Sequence, residues 1–216
     1  MKAPKNSTTA KVLMDNGIKF ECSIGNNKLP TTTMIFNMGS ATHCPADTLG
    51  LCSMGKCNGN KTCYALKSER LYPTVLPYRT RQENMWLNSS ADDIVKAVKT
   101  ILKKRPYITS IRVNESGDFH TIDCVNKLSE IASKFQIPVY TYTHRSDLFT
   151  KKVTDGLSKN LSVNFSCDME YKHNHNEFRL PEDVPEGVKT YSCKGDCRVC
   201  SLCVKPRGII ITNPKH

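Results

Sequence analysis

The chain has 216 residues, with 31 lysines and arginines against 20 acids, a formal charge of +11, 38% hydrophobic residues and 7% aromatics. That length supports one sizeable core and at most a small appendage. No apolar run approaches the ~20 residues that span a bilayer, and the start Met1-Lys-Ala-Pro-Lys-Asn lacks the apolar stretch of a secretory signal, so no membrane partner is expected. The expected compartment is therefore intracellular and reducing, where eleven cysteines point to metal ligation before a disulfide framework.

Residues 1–32 read as a polar arm in which Asp15-Asn16-Gly17 is a hairpin signal. A strand is predicted over Thr33–Met38, and it runs directly into a first cysteine group, Cys44, Cys52, Cys57 and Cys63. Gly50, Gly55 and Gly59 lie between these cysteines and allow the backbone to bend around a bulky ligand. From Tyr64 to Leu87 the apolar spacing predicts helix broken at Pro73 and Pro77, carrying Arg70, Arg79 and Arg81.

Ser89-Ser90-Ala-Asp-Asp is an N-cap signal for a helix over Ala91–Lys104, which ends in the basic knot Lys103-Lys104-Arg105 before Pro106. A strand over Ile108–Asn114, a helix over Thr121–Phe135 and a strand over Pro138–Thr143 follow. A short helix at Leu148–Leu157 and a strand at Leu161–Phe165 continue the alternation. Residues 169–187 read as polar loop, Val188–Ser192 as a strand, and Gly208–Thr212 as the closing strand.

Strand–helix alternation at this spacing predicts an α/β fold: a mostly parallel sheet of βα units, like a partial barrel, with cysteine-rich metal-binding loops. One such domain is expected over residues 33–216. In parallel sheets the carboxyl ends of the strands form the functional edge. Ser116, Asp118, His144 and Asp168 follow predicted strands and are therefore candidate pocket residues, with Asp118 alternatively a helix cap. The cysteine nest follows a strand in the same way.

That nest is Cys193-Lys-Gly-Asp-Cys197-Arg-Val-Cys200-Ser-Leu-Cys203, four thiols within eleven residues. The continuous C-x2-C-x2-C run resembles ferredoxin-type ligation of an iron–sulfur cluster, whereas structural zinc sites more often pair two distant knuckles. Zinc, or a disulfide with spare thiols, is the alternative. The expected cofactor is a [4Fe-4S] cluster, one or two per chain according to whether the first cysteine group holds its own. With zinc, His173 and His175 are further candidate ligands. Cys22, Cys124 and Cys167 are expected to be ordinary thiols, with Cys124 on the polar side of its helix.

The order of Cys44-Pro-Ala, Cys63-Tyr-Ala, Ser116-Gly-Asp-Phe119, Tyr140-Thr-Tyr-Thr143 and the final cysteine nest resembles the phage gene-product-88-like family over roughly residues 33–212. The resemblance implies a viral or mobile-element origin and cysteine-ligated metal, without a settled activity. A viral protein of this kind would sit in the host cytoplasm or in the virion with the genome.

Three functions follow from these features. A basic surface favours polyanions, so the first is an iron–sulfur protein binding nucleic acid, double-stranded DNA foremost, without sequence preference, to coat or compact a genome. Arg79, Arg81, Lys103, Lys104, Arg105, Lys151 and Lys152 are the candidate phosphate contacts. The second is a redox enzyme, because Cys193-x3-Cys197-x2-Cys200 has radical-SAM spacing. Cys203 then stands where that chemistry needs an open iron position. A zinc-stabilised interaction module is the third alternative.

Overall fold

The computed structural model describes residues 2–52, 63–167 and 169–212. Among these residues nine strands form one sheet: β1 (Thr8–Leu13), β2 (Lys19–Ile24), β3 (Thr33–Phe36), β4 (Ser110–Val113), β5 (Val139–Thr143), β6 (Leu161–Phe165), β7 (Asn176–Arg179), β8 (Thr190–Ser192) and β9 (Ile210–Thr212). Their order is β1-β2-β3-β4-β5-β6-β7-β9-β8. β1, β2 and β3 pair antiparallel, and every pairing from β3 to β8 is parallel. The fold is thus mixed α/β with a mostly parallel sheet, as the alternation of elements predicts.

The hairpin forms where Asp15-Asn16-Gly17 predicts it, with Gly17 at φ +79°. The stretch read as a polar arm supplies Phe20, Cys22 and Ile24 to the main core. Six α-helices are described: α1 (Pro45–Thr48), α2 (Tyr64–Leu71), α3 (Val75–Asn88), α4 (Ala91–Lys104), α5 (Ile122–Ser133) and α6 (Lys151–Asp155). The break after α2 falls at Pro73, but Pro77 does not break α3, contrary to the sequence reading. It stands in the first turn, where the missing N–H has no intrahelical partner to lose. Helix α4 begins with a complete capping box, Ser90 Oγ accepting from Asp93 N at 3.1 Å while Asp93 Oδ2 accepts from Ser90 N at 3.1 Å.

Strand side chains alternate between the two faces of the sheet. Met34, Phe36, Ile111, Val113, Val139, Leu161, Val163 and Phe165 join α3, α4 and α5 in a single core around Trp86, Val98, Val125 and Leu128. Cys124 belongs to this core at 7% exposure, which corrects its placement on a polar helix side. A right-handed crossover in a sequentially ordered sheet puts α4 and α5 on one face. Between β8 and β9 the chain steps backward across the sheet, so the same handedness sends their connection, residues 193–209, to the opposite face.

Residues 169–187 are not all loop. Asn176–Arg179 forms β7, whose Asn176 side chain is bonded into a buried polar ladder rather than an apolar one.

Candidate functional site

The carboxyl ends of β3, β4 and β5 are tied together by side chains. Asn37 Oδ1 accepts from Glu115 N at 2.7 Å and Ser116 N at 3.0 Å, and Asn114 Oδ1 accepts from Met38 N at 2.9 Å. Ser116 Oγ donates to Gly39 O at 2.9 Å. Gly117 has φ +72°, and a Cβ there would sit 2.7 Å from Gly39 O, so this close approach needs glycine. Asp118 accepts from Thr143 Oγ1 at 2.6 Å, His144 N at 2.8 Å and Phe119 N at 2.8 Å. Burial pushes its carboxyl up to about 6 even though those donors and the Arg145 charge favour the anion. Burial also takes His144 down to about 4.

The structure therefore brings Ser116, Asp118 and His144 to one edge, as the strand ends predict. Ser116 and Asp118 are occupied there as struts between strands. Asp168 lies outside the described residues.

Cys44 stands at the N-cap position of α1 and Cys63 at that of α2. Burial pushes the Cys44 thiol up to about 12, with the charges of Asp118 and Cys52 acting in the same direction. Cys44 and Cys52 are thus neighbours beside the edge, while Cys63 packs against the small cluster of Ala41, Ala65 and Leu66. Cys57 lies outside the described residues.

The second cysteine group lies on the other sheet face. Cys193 N donates to Thr212 O at 2.9 Å and Cys197 N to Lys28 O at 3.1 Å. Asn164 Nδ2 donates to Cys203 O at 3.0 Å, and Asn176 Nδ2 to Lys205 O at 3.1 Å. Asn176 Oδ1 accepts from Arg207 N at 3.1 Å. The loop is thus pinned to β6 and β7 by two asparagines whose own side chains are linked, Nδ2 of Asn176 to Oδ1 of Asn164 at 3.0 Å.

All four thiols of this loop are free and half-buried. Burial raises Cys203 to about 11 against a hydrogen bond from Tyr142, and the neighbouring Cys197, Cys193 and Cys200 add to the rise. Burial likewise raises Cys197, opposed by the Arg112 charge. The thiols are near neighbours, yet among the described residues no group of three or more His, Cys, Asp or Glu side chains is closed into a metal-ligand set.

Beneath the loop the sheet is polar. Register places Arg112 beside Tyr140, and Tyr142 beside Asn164 and then Asn176. Thr33 and Ser110 share a 3.0 Å hydrogen bond on the same face. The Arg112 guanidinium stacks over the Tyr142 ring at 4.7 Å, and Tyr142 meets Phe178 edge to face at 5.4 Å. These floor residues were not singled out as a site from the sequence. Their signal was the apolar–polar alternation of Ile111-Arg-Val, Val139-Tyr-Thr-Tyr and Leu161-Ser-Val-Asn, since parallel strands covered by helices on both faces read as continuous apolar runs.

The candidate phosphate contacts do not gather. Arg79 is buried, donating to Glu69 Oε1 at 2.8 Å and Ala65 O at 2.9 Å, which removes it from any surface. Arg81 pairs with Glu21 at 3.1 Å. Exposed Lys103 and Lys104 end α4 at the amino edge of the sheet, where Arg105 donates to Thr9 O at 3.2 Å. Lys151 and Lys152 start α6 beyond the carboxyl end of β5, and Lys151 pairs with Asp155 at 2.5 Å. His173 Nε2 lies 3.2 Å from Glu177 Oε1, and His175 Nδ1 accepts from Val163 N at 3.2 Å, so both rings are packed against the sheet.

These features define a class: a wound α/β sheet with a cysteine-bearing loop laid over its polar face. The sequence matches the gene product 88 family over residues 5–190, and the chain belongs to that family. No curated protein and no solved structure matches it. Among the described residues no helix is long and apolar enough to cross a membrane.

Proposed function

We propose that the protein is an iron–sulfur protein of redox type. Cys193, Cys197, Cys200 and Cys203 hold the cluster, and the polar sheet face beneath them holds what it acts on. The observation that carries this reading is the placement of four uncrosslinked, half-buried thiols on one loop fastened to that face by Asn164 and Asn176. The donor set suits the group: thiolates are the ligands of such clusters, and a loop with little apolar burial of its own gains order from metal. An iron–sulfur cluster supplies one-electron chemistry when bound. The chain's own contribution is to fasten the loop, to place the Tyr142 hydroxyl against the Cys203 sulfur, and to set a positive guanidinium beside Cys197.

The test is anaerobic purification with iron, sulfide and zinc measured per chain, beside the visible spectrum. Equal iron and sulfide with broad brown absorption, lost in Cys200→Ser, is the expected result. About four iron per chain assigns the nest alone, and about eight adds the first cysteine group. A colourless protein with one zinc overturns the reading in favour of a zinc-stabilised module.

The formal charge of +11 favours a second reading, sequence-independent binding of nucleic acid to coat or compact it. Its candidate contacts are divided between the two ends of the sheet, so it ranks second. A gel shift that weakens steeply with added salt supports it, and DNA binding indifferent to salt or absent at low salt overturns it.

A further inference from the structure

Among the described residues Arg112 is the one cation set in the middle of the polar face, on β4 between Ile35 of β3 and Tyr140 of β5. It is mostly covered, and it forms no ion pair or hydrogen bond with the described residues. Its Nε is buried and has no acceptor. Burial disfavours its charge, while the nearby Glu115 carboxylate favours it. A buried cation with no hydrogen-bonded acid is costly, and proteins ordinarily pair it. Every other guanidinium with comparable burial has its acceptors: Arg79 has Glu69, and Arg145 has Asp147 and the carbonyls of Phe119 and His120.

The neighbours of Arg112 are already occupied. Tyr64 Oη donates to Glu115 O at 2.8 Å, Glu115 accepts from the Asn26 side chain, and Tyr142 serves Cys203. The guanidinium carbon lies 4.7 Å from the centre of the Tyr142 ring, and its N–H groups have no hydrogen-bond acceptor among the described residues. Those donors form a fork that matches two oxygens of a carboxylate or phosphate, a match that a thiolate sulfur does not offer. Tyr64, 54% exposed, is a near neighbour of Arg112.

We propose that Arg112 binds a small oxyanion, a carboxylate or phosphate group of the molecule on which the protein acts, held against the polar face between the two cysteine groups. The proposal shares that face with the function proposed above but does not depend on the metal, so each can fail alone.

The experiment follows the melting temperature of the full chain, as isolated and after iron loading, in inorganic phosphate, in acetate, and in sodium chloride of equal ionic strength. The expected result is a saturating upward shift of about 3 °C in phosphate or acetate beyond chloride, with and without iron. The more effective anion assigns the group. Arg112→Gln abolishes the shift. Arg112→Lys, which keeps the charge and the fold but loses the fork, weakens apparent affinity at least about tenfold. Three results overturn the proposal: no shift beyond chloride, an equal shift in both variants, or a wild-type shift that disappears on iron loading, which would make the thiolates the partner of Arg112.

Discussion

The two faces of the parallel strands come from the same residues taken alternately, and they are built on different principles. On one face Phe36, Ile111, Val113, Val139, Leu161 and Val163 meet three helices in a dry core. On the other, Arg112, Tyr140, Tyr142, Asn164 and Asn176 carry a loop through directed hydrogen bonds and one stacked cation. The first face has many interchangeable contacts and tolerates volume-conserving change. The second has few, each with a geometry, and one donor left over. The apolar core and the polar, loop-bearing face are thereby separated by a single residue step along each strand.

That separation can be broken from either side. Phe36→Ala opens the apolar face where Phe20 and Trp86 meet the ring, and should cost about 3–5 kcal/mol in a urea titration with loss of the whole sheet. A comparable loss, about 3–5 kcal/mol, is expected for Arg79→Met, which strands the buried Glu69 carboxylate. Unchanged urea midpoints would mean that these groups find water.

Asn164→Ala tests the polar face. It should cost about 1–3 kcal/mol, because the carbonyls of Cys203 and Thr141 lose a donor. Trypsin cleavage at Lys194 and Arg207 should accelerate more than global unfolding does. Equal acceleration of both would show that the two faces are not separable.

The carboxyl edge joins the faces, and Asp118 gives it a pH signature. Its folded value of about 6 lies above the unfolded value of 3.8, so the folded state binds the proton more tightly. Its contribution is fully present below about pH 4 and is lost as pH rises through 6. Wild type minus Asp118→Asn should therefore show stability falling between pH 4 and 6, measured as urea midpoints. The lowered values of Glu69 and Glu21 act oppositely, with stability lost as pH falls through their folded values, and they cancel in the difference. A flat difference would place the Asp118 carboxyl in water. The smallest effect is Ser90→Ala, about 1 kcal/mol for a lost cap on an outer helix, with no change in loop proteolysis.

Much of this architecture is legible in the residues. Asp15-Asn16-Gly17 specifies its hairpin, Ser90 its helix start, and Leu161–Phe165 its strand, because each is a local rule with one outcome. β7 was not legible, since Asn176-Glu-Phe-Arg is a strand held by asparagine bonding to another strand's asparagine, a tertiary fact. Cys124 was placed by helical spacing on a polar side, yet α5 is covered both by α4 and by the sheet, which widens its buried stripe. The edge residues Ser116, Asp118 and His144 were found because strand ends are predictable. That Ser116 and Asp118 act as struts was not, because their partners, Gly39 and Thr143, arrive from other strands. Arg112 was readable in principle from a charge at an interior strand position.

The backward step from β8 to β9 also fixes an order of events. The strand that holds the start of the cysteine loop, through Thr212 O accepting from Cys193 N, is made after all four thiols. During synthesis the loop therefore emerges untethered on that side, while β1–β7 already have their pairing partners. Its thiols meet the solvent before β9 slides between β7 and β8. On the function proposed above, metal loading is a race between delivery to the thiols and the insertion of three residues.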